Sequence, residues 1–495
     1  MPQSLKCQFE ARSDNRVTTS KEKETETVDR SSHEENVDNQ GEGHRAMSLP
    51  LELVTLILES LDSQDAREVD FRSLQTLALV SRIWCRAAQA KLFCTIRIDC
   101  RASCQFWSRK FKHSPHLGEY VRFLYLSDPG DDCMGTPYLR TSPARFLVSA
   151  LTRLQGLTVR NTIRWGPVEQ RLVKGFRSVT VLAVLDGVGG MKGCRDIPDL
   201  FYALPNVHTL RLATPNPFKD FSPQYEAGVA LQQRIPENGK PRQLRELQLI
   251  GADFSVEYFM WLTGPSFDLS TLTRLSLSWQ KYRSWVGNGI YKPNFSCLDQ
   301  FCRLTGRSVA RLELPIPTRS YYRQDWLTSK LTSRDPLTVH LRRSRILASF
   351  TALRTISISP GDDYYDGSLP FLISSSVSLL GTLATPHRNL CRIILTAKLD
   401  VTLNIHDYQR IWGISQWKDL DELLSGDSFP TLSRVDLVVH IGCGRRRRVD
   451  ISTMAPDQEP LLQDIRACLP RAVSKGVPEI EIQLYRAQSP ESGSE

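Results

Sequence analysis

The heptapeptide QLRELQL, residues 243–249, decides how this chain folds. Leu244 stands three places before Leu247, and Leu247 two places before Leu249, so the apolar residues follow the frame φ-x-x-φ-x-φ. The closing pair has the period of a strand, and the three-residue step fits a turn entering it. The frame recurs upstream in VRFLYL (Leu124, Leu126), LTRLQGLTV (Leu154, Leu157, Val159), FRSVTVLAV (Val179, Leu182, Val184) and LPNVHTLRL (Val207, Leu210, Leu212). Downstream it returns in LTRLSL, SVARLEL, LRTISI, NLCRIIL, TLSRVDL and GVPEIEI, the last ending at Ile482. Each unit predicts one short strand followed by a connector, and stacking such units in parallel gives every strand hydrogen-bonding neighbours while the connectors cover one side. Strand ends lie 25 to 45 residues apart, so the connectors vary. Covering helices are expected within 143–154, 199–207, 377–383 and 459–473. An irregular parallel-stranded α/β solenoid is the expected fold, with a single open α/β sheet as the alternative.

Ahead of the repeats the apolar period changes. In SLPLELVTLILESL, residues 48–61, Ser48 can cap a helix whose first turn is expected to carry Pro50, where a missing N–H is tolerated. Leu53, Leu56, Ile57 and Leu61 recur at three- and four-residue spacing, Leu49 extends that face backwards, and Glu52 and Glu59 are left for solvent. A second apolar set runs through Leu74, Leu77, Val80, Ile83 and Trp84 to Leu92 and Phe93. About forty-five residues make a thin core, so part of this surface is expected to close against a partner or the next domain.

The order Leu49-Pro50-x-Glu52-Leu53, then Leu79-Val80-Ser81-x-x-Trp84, then Leu92-Phe93, resembles the F-box, the module that joins a substrate receptor to the Skp-type linker subunit of Skp–cullin–F-box ubiquitin ligases. The match covers about a tenth of the chain, and the insert SQDAREVDF departs from compact versions. The resemblance implies that Leu49, Pro50, Leu53, Ile57 and Leu61 lie at or behind the linker-binding face, with Val80 and Trp84 locking the helices. The repeats resemble the leucine-rich repeats that follow F-boxes, especially the irregular ones in the large families of mushroom-forming fungi. They lack the usual Asn or Cys after the strand: Ile250-Gly251, Ser278-Trp279 and Pro315 stand there. The implied function is a substrate adaptor that binds the linker, and through it the cullin and RING subunits, while its repeats hold a protein substrate. The alternative is an interaction scaffold outside any ligase.

These readings divide the chain into a disordered arm at 1–46, an F-box-like helical domain at 47–94, a connector at 95–114, a repeat domain at 115–486 and a flexible tail at 487–495. The arm holds seven Lys/Arg against ten Asp/Glu, so the overall charge of +9 resides in the folded part. Basic residues do not alternate with stacking aromatics as in a nucleic-acid groove, so acidic protein partners are expected rather than nucleic acid. The exception is Arg445–Arg448, a nuclear-import or phosphate patch or a solvated turn. Twelve scattered cysteines and an N-terminus without an apolar core point to a reduced protein of cytoplasm or nucleus. The run at 369–386 contains four serines and reads as a buried helix, not a membrane span.

Catalytic signatures are missing from the motifs. Cys100, Cys104, His113 and His116 are spaced too tightly for a zinc finger, and Cys100 and Cys104 read as loop residues beyond the strand-like TIRI segment. GDDYYDG at 361–367 lacks the alternation and terminal Glu of a calcium loop, and GVGGMKG at 187–193 lacks the Gly-Lys-Ser/Thr ending of a phosphate loop. No enzyme activity, metal or cofactor is expected of this polypeptide. Arginines and aromatics beside the strands, Arg211, Arg245, Trp279, Tyr282, Arg311, Tyr364, Tyr365 and Arg434, are the candidate substrate contacts.

Overall fold

A computed structural model describes residues 50–60, 71–127, 138–160, 167–185, 196–214, 241–251, 256–279, 295–316, 336–360, 368–383, 387–400, 416–442, 458–476 and 478–485. The strands among the described residues are β1 (Thr95–Ile98), β2 (Phe123–Leu126), β3 (Gly156–Arg160), β4 (Val181–Leu185), β5 (Thr209–Thr214), β6 (Arg242–Gln243), β7 (Glu246–Gly251), β8 (Phe267–Asp268), β9 (Arg274–Trp279), β10 (Arg311–Ile316), β11 (Thr355–Pro360), β12 (Arg392–Asp400), β13 (Arg434–Gly442) and β14 (Pro478–Tyr485), and each of the eleven repeat frames is one of them, all but β1, β6 and β8. All but β6 and β8 form one parallel sheet of twelve strands in sequence order, while β6 and β8 make a small sheet of their own. Sequential order with no reversal is the solenoid arrangement, and a doubly wound open sheet would reverse its strand order.

The register explains why the frame is required. Leu124, Leu157, Leu182, Leu210, Leu247, Leu275, Leu312, Ile356, Ile393 and Val435 stand opposite one another across the sheet, and all are buried. The second strand leucine of each frame makes a parallel buried row, and the leading φ, such as Val179, Leu244, Leu272 or Leu353, seals the turn beneath them. On the covered side lie the helices Ser142–Ala150, Asp196–Ala203, Ser296–Thr305, Ser368–Leu383 and Gln416–Ser425, which contribute Leu147, Phe201, Phe301, Leu379 and Leu420 to the same core.

The polar x positions are not fillers. From Cys94 to Cys391, ten successive backbone carbonyls each accept from two consecutive N–H groups of the next repeat, as Arg245 O accepts from Thr273 N (2.9 Å) and Arg274 N (3.1 Å). Hydroxyls in the frame add to this ladder. Ser178 donates to Leu154 O (2.7 Å), Thr271 to Leu244 O (3.1 Å), Thr431 to Leu390 O (3.1 Å) and Ser433 to Cys391 O (3.1 Å). This satisfies backbone acceptors at the entrance of each strand, where a turn would otherwise leave them exposed to desolvation.

Two expectations are corrected here. Residues 95–114 are no connector: Thr95–Ile98 pairs with β2, and Arg101–His113 is a helix packed on the next repeat, so the sheet begins at Thr95. Cys100 and Cys104 are not loop residues either. Cys100 caps that helix through Ser103, and Cys104 is buried in the core, where burial pushes its thiol up to about 11. His113 and His116 point elsewhere, to Arg109 O (2.8 Å) and the Tyr120 ring. The run at 369–386 does form a helix, Ser368–Leu383, with Leu372, Ile373, Leu379, Leu380 and Leu383 buried. Among the described residues no helix is long and apolar enough to cross a membrane.

His387 is buried at the end of that connector, with neither ring nitrogen in a hydrogen bond of normal geometry. Burial lowers its pKa from the ordinary 6.5, against a weaker opposing pull from the backbone at Leu347 and Phe350. The ring is therefore neutral in the fold, while the unfolded chain takes up a proton near pH 6.5. Stability is fully present above that pH and is lost as the pH falls towards the lower folded value. Urea midpoints should drop between pH 7 and pH 5 in the wild type, and His387→Leu should flatten that part of the profile. An equal drop in both proteins would remove His387 as its source.

Candidate functional site

Two surfaces carry the features that sequence reading singled out. The first is the helical head, α1 (Leu51–Ser60), α2 (Phe71–Leu77) and α3 (Arg82–Leu92). Its core is separate from that of the repeats: Val54, Leu58, Leu74 and Ala88 are buried together, with Leu77, Ile83, Trp84 and Leu92 packed against them. Ser81 caps α3 by accepting from Trp84 N, which fixes where the tryptophan enters. The buried stripe of α1 is thus Val54 and Leu58, four residues apart, a pair that sequence reading passed over.

The residues read as the apolar stripe face outward. Leu53 is 45 % exposed, Leu56 58 % and Ile57 40 %, and in the turn after α2 Leu79 is 87 % and Val80 62 % exposed. Val80 therefore does not lock the helices, which corrects that expectation. Trp84 alone of the two packs on the head core. Pro50 is exposed, and Leu49 and Leu61 lie outside the described residues.

The second surface is the uncovered face of the sheet. Side chains of successive strand residues alternate between faces, so the positions flanking the buried leucines line it. Between β7 and β10 it carries a chain of ion pairs: Glu246 to Arg274 (3.8 Å), Arg274 to Glu313 (2.7 Å) and Glu313 to Arg311 (2.9 Å). Across β12 to β14 a second chain links Arg392 to Asp436 (2.5 Å), Asp436 to Arg434 (2.5 Å) and Arg434 to Glu479 (2.7 Å). Burial would raise the Asp436 pKa, but the flanking guanidiniums of Arg392 and Arg434 outweigh it and hold the carboxyl below its ordinary value. Arg311 and Arg434 are thus tied into the sheet.

Arg211 lies on the same face and is exposed, while Arg245 is an exposed residue at the entrance to β7. Trp279 closes β9. Tyr282, Tyr364 and Tyr365 fall outside the described residues, as do the acidic loop at 361–367, the glycine run at 187–193 and Arg445–Arg448. Among the described residues no group of three or more His, Cys, Asp or Glu is placed to hold a metal ion.

The chain is an α/β solenoid of sequentially stacked parallel strands with helices on one side, an architecture compatible with leucine-rich repeats and suited to protein interaction. No family model matches it, and no curated protein resembles it in sequence.

Proposed function

We propose that this chain is the substrate-recognition adaptor of a Skp–cullin–F-box type ubiquitin ligase, acting in the cytoplasm or nucleus. The head binds the Skp-type linker, the cullin and RING subunits follow through it, and the repeats present a protein substrate. The polypeptide performs no chemistry itself; holding the substrate near the charged carrier enzyme raises the effective concentration of the reacting groups.

The observation that supports this most is the outward apolar set Leu53, Leu56, Ile57, Leu79 and Val80, on a head whose core, among the described residues, holds four buried side chains. Full burial of an exposed side chain of this kind gains about 1.5–3 kcal/mol, of which covering the part still exposed here supplies the corresponding fraction, and a partner of helical apolar surface is what the F-box-like order of residues implies. Because Leu53 and Ile57 are not part of the Val54–Leu58 core, changing them alters the surface and spares the head.

Titration calorimetry with purified Skp-type linker tests the reading. The double variant Leu53→Asp/Ile57→Asp should weaken binding at least a hundredfold, since two charges would be forced into an apolar contact. Circular dichroism should not change. Undiminished affinity in the variant would reject this interface, and no affinity in the wild type would leave the scaffold reading in its place.

A further inference from the structure

The uncovered face changes character along the solenoid. From β7 onward the arginines of the strands Arg274, Arg311, Arg392 and Arg434 each have a carboxylate on the same or a neighbouring strand. From β1 to β5 the acids are nearly gone. Arg97 has Asp99 at 3.9 Å, and Glu246, the acid nearest Arg211 in register, is engaged by Arg274. Arg211 is exposed and has no acidic partner among the described residues. Arg160, half-buried at the end of β3, has none either and adds to the positive field.

Arg211 does not stand alone on that face. The register runs Tyr125–Thr158–Ala183–Arg211 straight across four strands, and beside it Phe123–Gly156–Val181–Thr209. Tyr125 is 40 % exposed and Phe123 39 %. Gly156 lets the Phe123 ring lie across β3: a Cβ there would stand 2.5 Å from Phe123 Cδ1. Between the aromatics and the arginine the floor is small and mostly apolar, with Thr158 and Val181 half-buried and Ala183 and Thr209 buried. A shallow trough is therefore built into one row of the sheet, with an aromatic wall at one end, backed on β1 by Arg97 and its partner Asp99, and Arg211 at the other end without an acidic partner among the described residues.

We propose that this row binds an extended segment of a substrate protein through one carboxylate side chain on Arg211 and one aromatic or branched apolar side chain against Phe123 and Tyr125. The proposal deepens the adaptor reading by giving the substrate a chemistry. A guanidinium pairs a carboxylate through two parallel hydrogen bonds and neutralises it one for one, whereas a phosphate would leave charge unmatched at a single arginine. Three strand spacings separate Tyr125 from Arg211, about 14 Å at ~4.8 Å each. An extended chain covers that length in about four residues at ~3.3–3.6 Å per residue. The recognised pair is thus an acid and a large apolar residue about four positions apart, on a peptide running across the strands.

The test uses the full chain and a phage library of random twelve-residue peptides, selected on the wild type and counter-selected on Arg211→Glu. Enriched sequences should carry Asp or Glu about four positions from Phe, Tyr, Leu or Ile. A synthetic peptide of that kind should lose at least tenfold in affinity by fluorescence anisotropy on Arg211→Glu and on Tyr125→Ala/Phe123→Ala. The distant surface variant Arg342→Glu should leave it unchanged. A Lys-for-Glu peptide should in turn bind Arg211→Glu better than wild type, a charge exchange that a misfolded variant would not give. Absence of the acid from selected peptides, indifference of binding to Arg211→Glu, or a phosphoserine peptide binding more tightly than its Glu counterpart would each overturn the proposal. None of these readouts involves the linker, so they stand or fall apart from the head.

Discussion

Arg242→Ala should cost about 2–4 kcal/mol, seen as a large fall in the urea midpoint followed by tryptophan fluorescence. Arg242 donates from Nη1 to Phe201 O (2.7 Å) and Leu204 O (2.9 Å), and from Nη2 to Tyr202 O (2.9 Å). Phe201 O and Tyr202 O belong to the last turn of the helix Asp196–Ala203 and Leu204 O follows it, so the cation meets the negative end of the helix dipole there. The guanidinium also lies 4.9 Å from the Phe201 ring centroid and 5.5 Å from that of Tyr202. A hydrogen bond from a charged donor is worth about 1.5–3 kcal/mol, and the losses here are not additive because water will reach some of the carbonyls. Arg242→Lys should recover only part, since an ammonium on a flexible stem lacks the planar fork that reaches these carbonyls while stacking on the two rings. Trp261 sits in the same cluster, donating to Tyr202 Oη (3.2 Å) and edge-on to Phe201. An unchanged midpoint in Arg242→Ala would show that this capping is ornamental.

Gly306→Ala should be comparably damaging, by about 3 kcal/mol. A Cβ at Gly306 would stand 2.2 Å from Ser349 O and 2.6 Å from Ser349 C. Both are backbone atoms of the next repeat, so no side chain can turn away and the two repeats must separate. They meet closely there, with Ser349 Oγ donating to Cys302 O (3.3 Å). Gly381 is the matched comparison. It lies within the helix Ser368–Leu383, and a Cβ there meets nothing within 4 Å. Gly381→Ala should stabilise by about 0.5–1 kcal/mol through the helix preference of alanine. If the two variants melt alike, close repeat-to-repeat approach is not what limits this array.

The two glycines cannot be told apart in the sequence, and the same holds for much of the functional surface. The repeat frames were legible because each buries two or three apolar residues at fixed local spacing, and one register row after another repeats the solution. The start of the sheet was harder to place: Phe93-x-x-Ile96-x-Ile98 carries the frame and TIRI is strand-like, but Leu92-Phe93 also reads as the end of the helical head. The packing of Phe93 on the repeat core and the pairing with β2 assign the segment to the sheet. In the head, Leu53, Leu56 and Ile57 have the spacing of a helix face but Val54 and Leu58 have it too. Periodicity shows that a face exists, and packing against Leu74 and Ala88 decides which one turns inward. Arg211, Arg311 and Arg434 already differ within their own strands: Glu313 and Asp436 stand two residues after Arg311 and Arg434 on the same face, whereas Ala213 follows Arg211. The register adds the cross-strand partners, Arg274 for Glu313 and Glu479 for Arg434.

By itself, then, the sequence determined a parallel array of short strands with irregular connectors and a small helical head ahead of it, because those depend on local hydrophobic period and on turn geometry. Only the tertiary structure decided which apolar residues of the head remain outside and which strands bring their charges together across the sheet, as Arg274 meets Glu313 and Arg434 meets Glu479. Both depend on neighbours distant along the chain, 39 residues apart for Arg274 and Glu313, which one strand's own pattern does not encode.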